Sequence, residues 1–155
     1  MDYDTALRQA TLSLGILLFA FTFGVLTFAG VAFALGPVAQ EPESLQVLRW
    51  VALGLPLVEL PVALQLWIIN GKRLREAEGW QARIAALRAR TIVIAAMFEA
   101  PALFAGVVML LLGFSWHVLP AFALFLAGML ALAPTPRRVQ QLVGKADGTL
   151  PDQYS

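Results

Sequence analysis

Long apolar stretches alternate with short polar segments along the chain. A helix that crosses the roughly 30 Å hydrocarbon core of a membrane needs about 20 predominantly apolar residues. Three stretches reach that length, at residues 11–35, 48–70 and 91–114, and a shorter fourth stretch lies at 117–133. The pattern predicts one all-α membrane domain over residues 1–155, in which four transmembrane helices form an up-down bundle.

The polar segments predict how these spans are connected. Gly36 and Pro37 begin a turn after the first span, because both residue types interrupt helices. Only residues 113–120 separate the last two spans, so we expect those helices to form a tight hairpin. Residues 140–155 are predicted to be a solvated polar tail.

The segment 72–90 has a helical pattern of its own. Its apolar residues recur at spacings of three and four, with arginines on the other faces. We expect a helix that either lies on the inner membrane surface or extends the third span into the cytoplasm, with Gly79 as an interruption. The apolar stripe consists of Ala77, Trp80, Ile84 and Leu87.

The composition narrows the class of function. Of the 155 residues, 59% are hydrophobic and 14% are charged, whereas soluble domains carry about a quarter charged residues. The sequence has no cysteine, a single histidine and no glycine-rich phosphate loop. We therefore expect neither an enzyme nor a site for a metal, cofactor, nucleotide or nucleic acid. The expected partners are the lipid bilayer and either further copies of the chain or a membrane partner subunit.

The basic residues concentrate at one side of the predicted spans. One lies in the N-terminal segment, six lie in 72–90 and three follow the last span, which makes ten of the 11 lysines and arginines. Only Arg49 falls on the other side. Because cytoplasmic loops carry an excess of lysine and arginine, the pattern predicts a multi-pass protein of the inner (plasma) membrane with both termini in the cytoplasm.

Two glutamates interrupt the apolar spans. Glu59 lies 11 residues from Asn70 in the second span, and Glu99 lies nine residues from Arg90 in the third. At a rise of 1.5 Å per residue, these separations correspond to about 16 Å and about 13 Å from the cytoplasmic ends. The two helices run in opposite directions, so both carboxyls are predicted to lie near the middle of the bilayer.

Small residues share a helix face with each glutamate. Such faces let membrane helices approach closely, so we expect both glutamates to point into the bundle and towards each other. On the third span the close-packing residues are Ala95, Ala102 and Gly106, and on the second span they are Ala52, Pro56 and Ala63.

Prolines stand beside both glutamates. Pro61 follows Glu59 by two residues, Pro101 follows Glu99 by two residues, and Pro56 precedes Glu59 by three. Proline has no N–H and leaves the carbonyl four residues earlier unpaired, so the three prolines are predicted helix breaks beside the site. A free carbonyl next to a carboxyl is a suitable ligand for a cation or a proton donor.

A glutamate at the bilayer centre costs about 2.5–3.5 kcal/mol, so it is expected to have a partner or a task. The favoured interpretation is that Glu59 and Glu99 bind or relay protons or a cation. Two adjacent carboxyls cannot both ionise without a cation, so otherwise at least one of them holds a proton. Such a protein could act as a homo-oligomer. A second interpretation is a non-catalytic accessory subunit of a larger complex, with the glutamates neutral and structural. In a third, the glutamates face a partner subunit or lipid headgroups.

The stretch EAPALFAGVVMLLL resembles the ion-binding helix of rotary ATPase proteolipids, the c-subunits. Glu99, Ala102, Phe104 and Gly106 follow the order of carboxylate, alanine, aromatic and glycine in that helix. The resemblance implies an ion-binding role for Glu99. The first span lacks the alternating glycines of that family, and the last span carries no carboxylate. The Glu-x-x-Ala-Leu-Phe pattern is also similar to the third helix of small four-span bacterial membrane proteins of uncharacterised function.

Overall fold

The computed structural model describes residues 2–38 and 45–144, and every regular element within them is helical. The all-α class is therefore confirmed for this part of the chain. A 3₁₀ turn, Trp116–Val118, precedes the fourth helix. The five α-helices are α1 (Tyr3–Leu35), α2 (Gln46–Glu76), α3 (Gly79–Leu112), α4 (Leu119–Leu132) and α5 (Pro136–Val143).

Three of these helices, α1, α2 and α3, are long and apolar enough to cross a membrane. A fourth candidate exists only if the helical segment 116–132 and α5, which meet at a bend of 68°, are counted as one broken span. The 14 residues of α4 rise only about 21 Å, which is less than the hydrocarbon core. The described residues therefore contain three to four candidate spans.

The central helix of the bundle is α3. It packs against α1, α2 and α4, whereas α1 and α2 share little contact over the described residues. Gly106 lets α1 approach closely, because a Cβ at that position would lie 2.7 Å from the ring of Phe28. After α1 the chain passes the end of α3, where the Val38 N–H donates to the Leu110 carbonyl at 3.1 Å. The helices α1 and α2 follow each other in the sequence but are separated in space, because α3 lies between them.

The segment 72–90 is divided between two long helices. α2 continues to Glu76 and α3 begins at Gly79, whose φ of 78° makes the sharp turn between them. Residues 79–90 are thus continuous with the third apolar stretch, and Gly79 lies at the interruption between the two helices. The apolar stripe is covered by α1 and α5, since Ile84 and Leu87 are buried in a cluster with residues of both helices.

The polar tail begins later than the sequence predicts. Residues 140–143, assigned to the tail above, form the last turn of α5. The Thr135 hydroxyl caps this helix by accepting a hydrogen bond from a backbone N–H of its first turn. Val139 and Val143, which are four residues apart, are buried against α1 and α3. The remaining tail, residues 145–155, lies outside the described residues.

Candidate functional site

Glu59 is the more deeply buried of the two membrane glutamates. Only 9% of its surface is exposed, and its neighbours along the same face of α2 are buried as well. Its Oε2 atom is enclosed and has no hydrogen-bond partner within residues 2–38 and 45–144. The neighbours on this face are Ala52, Pro56 and Ala63.

A buried carboxyl without a partner has a strong preference for its neutral form. Burying an ionised carboxylate costs far more than burying a neutral polar group, since the interior cannot replace the lost hydration. Proton binding removes the charge of Glu59 and also turns one carboxyl oxygen into a donor. The surroundings of Glu59 are therefore chemically suited to holding a proton.

Glu99 has a different environment on α3. Its side chain is only half-buried, although the predicted close-packing residues of its face are fully enclosed. Gly106 lies seven residues further along the same side of the helix and faces Phe28 of α1. Glu99 therefore lies at the edge of the contact between α1 and α3. The enclosed residues are Ala95, Ala102 and Gly106.

The two carboxyls lie at similar heights. The Arg90 guanidinium stacks 3.8 Å from the centroid of the Trp67 ring, which fixes the register between α3 and α2. Glu59 is eight residues from Trp67, and Glu99 is nine from Arg90. Counted along their helices, both therefore lie about 12–13 Å from this contact.

Glu59 belongs to α2, whereas Glu99 points away from the side of α3 that faces α2. Ala52 of α2 shares a buried cluster with Ala105 and Val108, so these residues mark the side of α3 that faces α2. At about 100° per residue, Glu99 points roughly 120–180° away from that side. No hydrogen bond joins Glu59 and Glu99 in the described part of the chain. The arrangement favours two separate carboxyl positions over a shared one.

The prolines do not break the helices. Pro56 and Pro61 lie inside α2 and Pro101 lies inside α3, and both helices continue through them. The predicted helix breaks are corrected in this respect: each proline removes one backbone hydrogen bond, while the flanking turns hold the helix together. Pro56 and Pro101 are buried, whereas Pro61 is exposed. The two Glu-x-Pro motifs, similar in sequence, therefore differ in structure.

A bound metal cation would need several oxygen ligands, typically six or more for calcium or magnesium. Within the described residues no group of three or more His, Asp or Glu side chains is placed to hold a metal ion. A proton, in contrast, needs only one carboxyl oxygen.

The contact between Trp67 and Arg90 belongs to a second polar region that sequence reasoning missed. Arg90 is 7% exposed, and its Nε atom is buried without a hydrogen-bond partner among the residues described. The available signal was weak, since an arginine just before a span normally reads as a topology residue. Its burial depends on how α2 and α3 pair.

Comparison with known proteins does not assign the chain to a family. No protein-family profile, curated protein sequence or solved structure matches it. The resemblance to rotary ATPase proteolipids and to four-span bacterial proteins therefore rests on the third helix alone.

Proposed function

We propose that this chain is a small multi-pass protein of the inner (plasma) membrane that binds and relays protons. The single observation that carries the proposal is the enclosed, unpartnered carboxyl of Glu59. Glu99, at the same height on the other side of α3, is the second proton-binding position. A carboxyl near the middle of the membrane divides the path of a proton across it into two shorter steps.

The orientation belongs to the same proposal. The end of the bundle that contains the start of α1, the junction of α2 and α3, and α5 carries almost all the basic residues. We place this end in the cytoplasm, together with both termini. In this proposal α4 and the bent helix α5 together form the fourth span.

A second function is favoured by the position of Glu99. Its half-buried side chain lies at the edge of the α1 and α3 contact, where a neighbouring membrane protein could cover it. In that case the chain is an accessory subunit or a homo-oligomer, and Glu99 is a neutral hydrogen-bonding group at the interface. The prediction of self-association or a partner subunit remains open on the same ground.

Proton flux into vesicles tests the first proposal. The purified chain is reconstituted into liposomes that contain a pH-sensitive dye, and a potassium diffusion potential drives protons inward. We expect wild-type vesicles to acidify faster than empty vesicles, and Glu59→Gln vesicles to match the empty ones. Glutamine has the shape of the neutral acid but cannot exchange a proton, so the fold is retained.

Two controls keep the result interpretable. Glu59→Asp retains a titratable group and is expected to keep part of the flux, while Glu76→Gln removes an exposed carboxyl of the α2 end and is expected to keep all of it. Equal flux for the wild type and Glu59→Gln would overturn the proton-relay proposal. A stoichiometric partner that co-purifies with the wild type and with Glu99→Gln, which keeps the hydrogen-bonding group, but not with Glu99→Leu, which removes it, would support the second function.

A further inference from the structure

A cavity rich in hydrogen-bond donors lies where α2, α3 and α5 meet. Its volume is about 570 Å³, and no Asp or Glu side chain of the described residues lines it. We call this cavity the basic pocket. Its polar lining residues are Arg90, Thr135, Arg137, Arg138 and Gln141.

Arg90 forms the deepest part of the basic pocket. Its guanidinium stacks on the Trp67 ring, it is more than nine-tenths buried, and its Nε atom has no partner in the described part of the chain. Burial, together with the nearby charges of Arg138 and Arg75, lowers the pKa of the Arg90 guanidinium. The pocket thus holds a buried positive charge beside other positive charges, an arrangement that an anion would stabilise.

Arg138 approaches the same indole from α5. Its guanidinium lies 6.0 Å from the Trp67 ring centroid and donates to the Ala131 carbonyl near the end of α4. Its position is therefore fixed by the bend between α4 and α5. Guanidinium groups bind phosphate oxygens through two parallel hydrogen bonds, so converging arginines select a phosphate over a simple halide ion.

An apolar groove adjoins the basic pocket at Trp67 and extends towards the middle of the bundle. It lies between α2, α3 and α4, has a volume of about 300 Å³, and is lined only by apolar side chains. Trp67 lines both the groove and the basic pocket. The groove follows α2 from Trp67 to Leu60, which is about 10 Å. Ala127 and Ala131, exposed on α4, form its other wall.

Small residues on α4 leave the groove open. Gly128 packs directly on Phe98, since a Cβ at that position would lie 2.3 Å from the ring. Ala127 and Ala131 beside it have side chains too short to fill the space above Phe98. The groove and the basic pocket together have the polarity profile of a phospholipid, with donors at one end and hydrocarbon along the rest.

We propose that this surface binds one anionic phospholipid, with its phosphate in the basic pocket and one acyl chain along the groove. Basic pockets between membrane helices are established sites for acidic lipid headgroups. Continuity with the apolar groove favours a lipid over free phosphate, which would leave the groove empty. Neither Glu59 nor Glu99 lines this site, so the lipid proposal can be tested independently of the proton proposal.

Lipid titration of the full-length chain tests this site. Native mass spectrometry in detergent measures the binding of phosphatidylglycerol, of phosphatidylethanolamine as the zwitterionic comparison, and of inorganic phosphate. We expect the wild type to bind phosphatidylglycerol about tenfold more tightly than phosphatidylethanolamine, and Arg90→Gln or Arg138→Gln to lose about fivefold in that affinity. Arg73→Gln removes an exposed charge at the same end of the bundle outside the pocket and is expected to bind like the wild type.

A groove variant separates the lipid from a small anion. Ala127→Phe fills the groove and is expected to weaken phosphatidylglycerol binding, whereas Leu126→Phe adds bulk on another face of α4 and leaves it unchanged. Equal affinity for the two lipids, or equal losses for Arg73→Gln and Arg90→Gln, would overturn the proposal. Displacement of the lipid by inorganic phosphate, or full binding by Ala127→Phe, would reassign the pocket to a free anion.

Discussion

Glu59 and Arg90 are both buried ionisable residues, and each has an enclosed polar atom without a hydrogen-bond partner among the described residues. They differ in how the free-energy cost of a buried charge can be removed. A carboxyl becomes neutral by binding a proton, whereas a guanidinium stays charged in proteins and needs an anion or a π surface. The same burial therefore leads to proton chemistry in the middle of the bundle and to anion chemistry at its basic end.

The aromatic neighbour of Arg90 stabilises its charged form. The ring of Trp67 offers its negative face to the guanidinium at 3.8 Å, a contact worth about 2 kcal/mol when desolvated. Glu59 has apolar and small neighbours instead, which would destabilise its charged form. Each residue has the surroundings that suit one charge state.

The largest expected effect comes from giving the middle of the bundle a charge that cannot be neutralised. Glu59→Arg is predicted to lower the free energy of unfolding by about 3 kcal/mol or more, because a guanidinium at this depth has neither a proton equilibrium nor an aromatic partner. Reversible unfolding in mixed micelles measures the change. Glu59→Gln, which matches the neutral acid, is predicted to change the free energy by less than about 1 kcal/mol. Equal free energies of unfolding for Glu59→Arg and Glu59→Gln would contradict the difference between Glu59 and Arg90.

The next effect concerns α4, whose bend into α5 positions Arg138 in the basic pocket. In Gly128→Val the new side chain would overlap the Phe98 ring, so α4 must shift, at an expected cost of about 2 kcal/mol. Phosphatidylglycerol binding should weaken as the groove changes shape. Ala123→Val, at an exposed position of the same helix outside the groove, is the matched control and should retain both stability and lipid binding. A Gly128→Val chain as stable as the wild type would contradict the observed packing of α4 on α3.

A smaller effect is expected when Arg90 keeps its charge but loses its planar shape. Arg90→Lys is predicted to cost about 1 kcal/mol, because a lysine ammonium stacks less well on the Trp67 ring. A shift in the tryptophan emission spectrum should accompany the loss. Arg73→Lys, at an exposed position, provides the baseline, and the two variants should differ clearly in both measurements.

The smallest effect separates the two glutamates from each other. A hydrophobic carbodiimide, which modifies protonated carboxyls from the lipid phase, is predicted to label Glu99 faster than Glu59 because Glu99 is only half-buried. Mass spectrometry of labelled peptides gives both rates in one sample, and Glu99→Gln identifies its adduct. Faster labelling of Glu59 would mean that α2 presents it outwards.

The sequence predicts the helices because hydropathy and length alone decide whether a segment can cross a membrane. It also predicts the burial of the small faces around Ala52 and Ala102, since helical spacing is independent of the partner helix. It does not predict that α3 lies between α1 and α2, which depends on contacts such as Phe28 on Gly106. That order of helices is what sends Glu59 and Glu99 to different sides of α3.

Two further features escaped the sequence for related reasons. The tail predicted from residue 140 onwards includes the last half of α5, although Val139 and Val143 at helical spacing after the Thr135 cap were a usable signal. The basic pocket needs Trp67, Arg90 and Arg138 from three helices. Their convergence follows from the pairing of α2 with α3 and from the 68° bend before α5, and neither can be read from residue spacing.

The protonation state of Glu59 tests the central claim most directly. Infrared difference spectroscopy of the reconstituted chain, wild type against Glu59→Gln, resolves the C=O stretch of a protonated carboxyl from the bands of a carboxylate. At neutral pH we expect the wild type to show a protonated carboxyl band that shifts on exchange into heavy water and that is absent in Glu59→Gln. A difference spectrum that contains only carboxylate bands for Glu59 at neutral pH would contradict it.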